Sequence, residues 1–332
     1  MNKLFKFIMA TALTLCLLVG CAAAPQKPAE DATIRLASLK GPTTMGLVKL
    51  LHDTQENDGK SASGGYTLAN EIHGTADEIT ALLVNKEIDM AAIPCNLASV
   101  LYSKTGGDIK VAAVNTLGVL YVVEAGDSVK SVADLAGKNI YSTGKGTTPE
   151  YVLNAILSWN KLDPASDVNV EYKSEATEIA ALLSEGNGAI AVLPQPYVTS
   201  VLMQNKDTRI ALDLTKEWKN SGNGGSLVTG VLVVRGEFAQ QHPDAVAAFL
   251  SDYETSVEWV NANPSDSAAL IESYGIVAKA DIAQQALPYC NIVFETGKQM
   301  KTDVSSYLDV LFKQNPKAVG GSMPNDDFYY EA

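Results

Sequence analysis

From Thr33 onward, short apolar and β-branched runs alternate with stretches of helical period, and this alternation constrains the fold more than any other feature of the chain. Residues 34–39 read as a strand and 43–51 as the helix after it. Residues 66–72 are a second strand. Thr75-Ala76-Asp77-Glu78 then opens a helix to about Lys86, with Ile79, Leu82 and Leu83 on one face. A strand over 89–93, a helix over 96–102 and a strand over 109–114 follow. Past Asn115-Thr116-Leu117-Gly118 the pattern restarts, with strands at 119–124, 139–142, 168–172, 189–193 and 210–214. Helices at 131–136, 149–159, 176–184 and 196–205 lie between them. The Gly/Asn/Ser stretch 220–225 breaks the series and 227–235 is a long strand. Helices dominate from there to the end, the longest over 242–260. The pattern predicts an α/β architecture with mostly parallel sheets, and it contains no internal repeat.

Ahead of this pattern, Lys3 and Lys6 precede an apolar run over residues 7–19 that ends in Leu18-Val19-Gly20-Cys21. A positive start, a short apolar stretch and small residues at a cut site describe a secretory signal, here 1–20. The run is too short to span a bilayer comfortably at about 1.5 Å of rise per residue. Its last four residues resemble a bacterial lipobox, with cleavage before Cys21 and a diacylglycerol, and with it palmitate, on the Cys21 thiol. The small, polar, Pro-containing stretch that follows makes 21–32 a flexible lipidated tether. The expectation is a membrane-anchored protein on the extracytoplasmic face.

Without Lys3 and Lys6, 23 of the 25 basic residues remain against 38 acidic ones, a balance of −15. Such a chain repels nucleic acid and anionic head groups, which excludes both as partner surfaces. Hydrophobic residues at 46% of 332 supply an ample core, and the length suits two lobes. Cys95 and Cys290 remain after the signal and Cys21; they can pair in an oxidising compartment or sit apart as small buried hydrophobes. His52, His73 and His242 stand far apart with no Cys or carboxylate at ligand spacing, so neither a metal nor a cofactor is expected.

In open α/β sheets, ligands sit outside the carboxyl ends of the strands, at helix N-termini. Four strand-to-helix junctions carry the chemistry for this. The first is Ser38-Leu39-Lys40-Gly41-Pro42-Thr43-Thr44, the second Ile93-Pro94-Cys95-Asn96. The third is Thr143-Gly144-Lys145-Gly146-Thr147-Thr148-Pro149-Glu150, and the fourth Leu193-Pro194-Gln195-Pro196-Tyr197. Each can aim backbone donors, amides or hydroxyls at a small polar molecule without an acid or a base. One such loop alone is ordinary helix capping; four, two in each half, favour a pocket. Gly144-Lys145-Gly146 is neither a P-loop nor a dinucleotide fingerprint, because the flanking residues those motifs require are missing. The candidate ligand-binding set is Ser38, Lys40, Thr43, Thr44, Cys95, Asn96, Asn115, Thr116, Lys145, Thr147, Thr148, Gln195, Tyr197 and Thr229. Arg35, Arg209 and Arg235 all fall in or at the ends of strands, so no guanidinium fork awaits a carboxylate or phosphate. A neutral or singly anionic ligand fits best. No nucleophile–base pair is visible in these loops, which argues against an enzyme.

These residues resemble a family. The Leu-Val-Gly-Cys end of the signal and the first junction are two of its marks. Ile-Asp-Met-Ala-Ala-Ile-Pro-Cys-Asn at 88–96 and the run from Ser131 to Tyr151 are the others, and all four look like the substrate-binding lipoproteins of ABC importers. The chain is most similar to their nitrate, sulfonate, taurine and thiamine-precursor group. Residues 134–146 match the run that opens the second lobe's binding loop there, with Ala136 where a Lys is usual. The resemblance covers about residues 34–260. It implies an α/β type II periplasmic-binding-protein fold, two α/β lobes joined by two crossing strands with the ligand cleft between them. The crossings would lie near 115–121 and 227–233, lobe one over 33–116 plus 231–332, and lobe two over 117–230. It also implies an ABC permease as partner and a monomer that captures a sulfonate, nitrate, taurine or pyrimidine-like solute. The alternatives are a sensor subunit for a membrane receptor and an enzyme like the family's thiamine-pyrimidine synthase. The latter uses clustered Cys and His; this chain has one Cys near the cleft and no His in a junction loop.

Overall fold

Two mixed sheets arise from the alternation in the computed structural model, which describes residues 32–186, 188–222 and 225–331. The signal, Cys21 and most of the tether lie outside the described residues. The chain first lays down β1 (Ala32–Leu39), the short α1 (Pro42–Met45), α2 (Val48–Glu56) and β2 (Tyr66–His73). It continues with α3 (Ala76–Val84), β3 (Met90–Pro94), α4 (Cys95–Lys104) and β4 (Ile109–Leu117). Gly118 and Val119 then lead directly into a second set: β5 (Leu120–Ala125), β6 (Asn139–Ser142), α5 (Thr148–Trp159), β7 (Asn169–Tyr172) and α6 (Ala176–Ser184). This set closes with β8 (Ile190–Pro194), α7 (Tyr197–Gln204), β9 (Thr208–Asp213) and α8 (Leu214–Ser221). The chain returns as β10 (Val228–Arg235), followed by α9 (Gly236–Gln241), α10 (Pro243–Ala262), α11 (Pro264–Ser273), α12 (Ala280–Ala286), β11 (Ile292–Glu295) and α13 (Gly297–Gln314).

The first sheet has the order β11-β4-β10-β3-β1-β2 and the second β7-β6-β8-β5-β9. The expected mostly parallel pairing does not hold. β1 is parallel to β2 and β3, and β6 to β7 and β8. β10 is antiparallel to β3 and β4, β11 to β4, and β5 to β8 and β9. The reason is the traffic between sheets. A strand that has just crossed enters its new sheet at the end where the resident strands finish, so it must run against them. Leu120 at the start of β5 faces Pro194 at the end of β8, and Gly230 near the start of β10 faces Pro94 at the end of β3. The carboxyl ends of β3, β4 and β8 therefore gather where the two passages run, and each of the four polar junctions lies at that end of its own sheet.

The packing follows from the patterns. β3 is apolar and buried on both faces, as the central position of its run demands. α13 buries Met300, Val304, Tyr307, Leu308 and Leu311 at helical spacing. One core extends beneath both sheets, from Ile93, Val111 and Val114 through Leu120, Val122 and Ile190 to Trp218, Tyr307 and Leu311. A second covers the other face of the first sheet with Leu36, Leu232, Phe249 and Tyr253. A third, around Val123, Leu193, Val198 and Ile179, belongs to the second sheet alone. Each fully buried Leu, Val or Phe stabilises by about 1.5–3 kcal/mol, against roughly 0–1 kcal/mol for an exposed ion pair, so these cores carry the fold. Cys95 and Cys290 are separate buried thiols, not a disulfide. Among the described residues no helix is long and apolar enough to cross a membrane.

Candidate functional site

At the first junction Gly41 takes φ 130°, a conformation that suits glycine, and lets β1 turn into α1. The hydroxyls of Thr43 and Thr44 both donate to the Leu39 carbonyl, at 2.9 and 2.6 Å, and thereby brace the turn. Ser38, Thr43 and Thr44 are buried, whereas Lys40 is exposed and only its backbone N–H is tied, to the His73 carbonyl at 2.9 Å. His73 thus stands nearer this junction than its sequence position implies. Its ring lies between Glu71 and Glu78 at 3.1 and 3.2 Å.

The second and third junctions, one from each sheet, meet. Thr148 Oγ1 donates to Asn96 Oδ1 at 3.5 Å, and the Tyr307 hydroxyl donates to Thr148 Oγ1 at 3.3 Å. Asn96 Nδ2 also reaches the Ala318 carbonyl at 3.4 Å. Thr147 instead turns outward and closes its own loop on the Gly144 carbonyl at 2.6 Å, and exposed Lys145 lies 5.9 Å over the Tyr172 ring. At the fourth junction Gln195 is buried while Tyr197 is 43% exposed. Gln195 Oε1 accepts from the Thr199 N–H at 3.3 Å and the Thr199 hydroxyl at 2.8 Å, capping the first turn of α7.

Asn115 and Thr116 end β4 against the first junction. Thr116 Oγ1 donates to Asn115 Oδ1 at 3.0 Å, and Asn115 Nδ2 donates to the Thr43 carbonyl at 3.3 Å. Gly230 closes this group: a Cβ there would lie 2.3 Å from Thr43 Cγ2 and 2.6 Å from Asn115 Oδ1. Half-buried Thr229 precedes it. The buried Tyr253 hydroxyl faces Asn115 without closing a hydrogen bond. The structure thus gathers Thr43, Asn115 and Thr116 into one cluster and Asn96 with Thr148 into another. It leaves Lys40, Lys145, Thr147 and Tyr197 on exposed or locally paired positions.

Tyr253 and Tyr307 join these groups, and Thr215 and Asn291 stand beside Gly118, although no motif in the sequence singles them out. Thr215 alone had a signal, the Asp213 cap two residues before it. Asn291 Nδ2 donates to the Gly118 carbonyl at 2.5 Å from far along the chain. The arginines are spent elsewhere. Arg35 holds the buried Asp89 carboxylate at 2.6 Å with Arg235 at 3.2 Å, and Arg209 holds buried Glu124 at 2.7 Å. Burial pushes the Cys290 thiol up to about 12 and the Cys95 thiol higher still, so neither is a thiolate at neutral pH. A cavity of about 690 Å³ lies away from the junctions, behind β11 against Phe294, Lys301 and Tyr330. A groove of about 560 Å³ does border the fourth junction, between Thr199 and Met203 on one side and Gln285 and Tyr289 on the other.

The NMT1/THI5-like family profile matches residues 76–267, more than half of the chain. The chain belongs to the NMT1/THI5-like family. Within the wider set of relatives, this NMT1/THI5-like chain is 25% identical over 225 residues to proteins of Brucella abortus and Brucella suis named as binding proteins, covering 65% of this chain and 67% of each of them. Its fold is that of type II periplasmic binding proteins. An ABC transporter structure from Parabacteroides distasonis superposes with TM-score 0.75 at 25% identity, covering 91% of this chain and 99% of that one. The periplasmic aliphatic sulphonate-binding protein SsuA from Escherichia coli gives 0.70 at 16% identity, with 90% and 96% covered. The periplasmic nitrate-binding protein NrtA from Synechocystis gives 0.58 at 12%, with 86% and 82% covered.

Proposed function

We propose that this protein is the extracytoplasmic substrate-binding subunit of an ABC importer, which captures a small polar or singly anionic solute and delivers it to a membrane permease. The observation that carries the reading is the meeting of Asn96 and Thr148, two polar junctions from different sheets, with amides and hydroxyls and no acid–base pair between them. Such a site binds without turning its ligand over. The lobes are 33–116 plus 231–332 and 117–230, and the solute lies between them. Names of the structural relatives, sulphonate- and nitrate-binding proteins, support sulfonate and nitrate as classes to test, and the sequence resemblance adds taurine and a pyrimidine. A thermal-shift screen against these four classes and small amides tests it. A tight binder at 100 times its dissociation constant adds about 2.7 kcal/mol of stability, and a flat response across the panel would defeat the reading.

The anchor belongs to the same proposal. Leu18-Val19-Gly20-Cys21 supports lipidation of Cys21. Cells fed a fatty-acid analogue are expected to label the wild type and not Cys21→Ser; equal labelling of both would remove the anchor.

A further inference from the structure

We propose that the Gln195 side-chain amide and the Thr215 hydroxyl are the donors that select the ligand, and that the ligand meets them with an acceptor oxygen on a small neutral or singly anionic molecule. The proposal rests on the solute-binding reading above.

Gln195 follows β8, which sits between β6 and β5, at the end of the second sheet where the passages run. It is 1% exposed. Its oxygen is committed to Thr199, and because the Thr199 N–H can only donate, that contact also fixes which way the amide faces. Nε2 is left buried with two N–H groups and no partner. Thr215 repeats the situation at the start of α8. Its backbone N–H is taken by Asp213 Oδ1 at 3.0 Å, while its Oγ1 is buried and unpartnered.

The two groups flank the same link between the sheets. The Gln195 N–H donates to the Val119 carbonyl at 2.9 Å, and Thr215 Oγ1 lies 2.1 Å from where a Cβ on Gly118 would be. Buried polar groups are rarely left unpaired, and two at one link point to an occupant that completes them. Nε2 can only donate, so the occupant brings an acceptor. No arginine is free to neutralise it, and the Asp213 carboxylate stands beside Thr215, which disfavours a doubly charged anion. The competing occupant is an ordered water.

Two variants of the full-length protein separate these. Gln195→Glu keeps an oxygen for Thr199 and replaces the donor by an acceptor; Thr215→Val keeps the shape and removes the hydroxyl. Calorimetry and melting are followed with ethanesulfonate, nitrate, acetamide, sulfate and choline. The wild type is expected to bind at least one of ethanesulfonate, nitrate and acetamide. Thr215→Val is expected to weaken that probe about tenfold without lowering the ligand-free melting temperature, and Gln195→Glu to weaken an anionic probe about a hundredfold or more. Equal binding by the wild type and Thr215→Val overturns the proposal, and a lower ligand-free melting temperature with unchanged affinity assigns the position to water. Tighter binding by Gln195→Glu, or binding of sulfate or choline alone, overturns the ligand class while solute binding stands. No response to any probe defeats both this proposal and the reading beneath it.

Discussion

Asp89 shows how single residues hold the frame on which the site is built. Its carboxylate is buried at the start of β3 and receives Arg35 Nε at 2.8 Å, Arg35 Nη2 at 2.6 Å and Arg235 Nη2 at 3.2 Å. Burial alone would raise the carboxyl, but the hydrogen bonds from Arg35 and Arg235 outweigh it and hold Asp89 below the usual range. Asp89→Asn is expected to cost about 1.5–3 kcal/mol in urea unfolding, because it removes charge-assisted hydrogen bonds from Arg35 and Arg235 and leaves buried Arg235 with only the Glu237 carboxylate, at 3.3 Å, as its counter-charge. The sign of the pH effect follows from the lowered value. The stabilisation is complete above the ordinary carboxylate pKa of about 3.9 and is lost as pH falls through the lower folded value. The wild type should therefore lose part of its margin over Asp89→Asn below about pH 4. Gly118 teaches a different lesson. Its place at the crossing was legible in the sequence, but its reason was not. It adopts an ordinary backbone conformation, and a Cβ would strike Thr215 Oγ1 and, at 2.6 Å, Leu227 Cδ2. Glycine is required there for space rather than for freedom. Gly118→Ala is expected to cost about 1–3 kcal/mol through overpacking, read in the same urea titration. A cost near zero would mean that Thr215 and Leu227 can step aside.

At the scale of elements, periodicity found the strands and long helices because their burial is one-sided and local. Residues 139–142 and 176–184 fold over the bounds the sequence predicts. α8 escaped. It has eight residues and a polar face, and its only apolar anchors are Leu214 and Trp218 at i, i+4. The surviving local signals are the Asp213 cap at one end and Gly222 in the left-handed region at the other. β11 escaped for another reason. Four residues on the edge of a sheet become a strand only through pairing with β4, and that partner lies far back in the sequence. The same limit explains why the four junctions were legible but Tyr307 and Asn291 were not: local chemistry is written locally, and long-range contact is not. Once seen, α8 carries a clear expectation. Trp218 is fully buried, edge-on to Trp159 at 4.7 Å and tilted against Tyr307 at 5.9 Å. Trp218→Ala should destabilise by about 3–5 kcal/mol, measured by chemical unfolding. A loss under 1 kcal/mol would mean that this aromatic stack does not join α8 to α5 and α13.

The whole molecule is not symmetrical about its two sheets, and the asymmetry says where it can open. On one side the core beneath both sheets is continuous through Trp159, Trp218 and Tyr307. There α13 and the segment after it also reach across by hydrogen bonds, from Gln314 Nε2 to the Tyr151 carbonyl at 3.0 Å and from Asn315 Nδ2 to the Tyr151 hydroxyl at 3.0 Å. On the other side the second and third cores are separate, and α7 packs directly on α12 without a shared buried aromatic cluster. Beside this seam the Tyr121 hydroxyl of β5 donates to the Tyr289 carbonyl at 2.9 Å, and those rings approach edge to face at 6.2 Å. Tyr197, Met203 and Tyr289 stand exposed beside it. Separating the sheets at this seam gives up about one net hydrogen bond, 0.5–1.5 kcal/mol, and the contact of two half-exposed helix faces. Separating them on the α13 side would expose an aromatic cluster that stabilises several times more. Rotation should therefore pivot on Trp159, Trp218 and Tyr307 and open the groove between α7 and α12. Paired spin labels at the exposed positions Lys206 and Gln285 span that groove, and a pair at Ser158 and Lys313 spans the pivot. Adding whichever panel member binds should shorten and narrow the Lys206–Gln285 distribution while the Ser158–Lys313 distribution stays fixed. Movement at the pivot pair with a static groove would reverse the assignment of mouth and hinge, and two fixed distributions at saturating ligand would rule out lobe closure altogether.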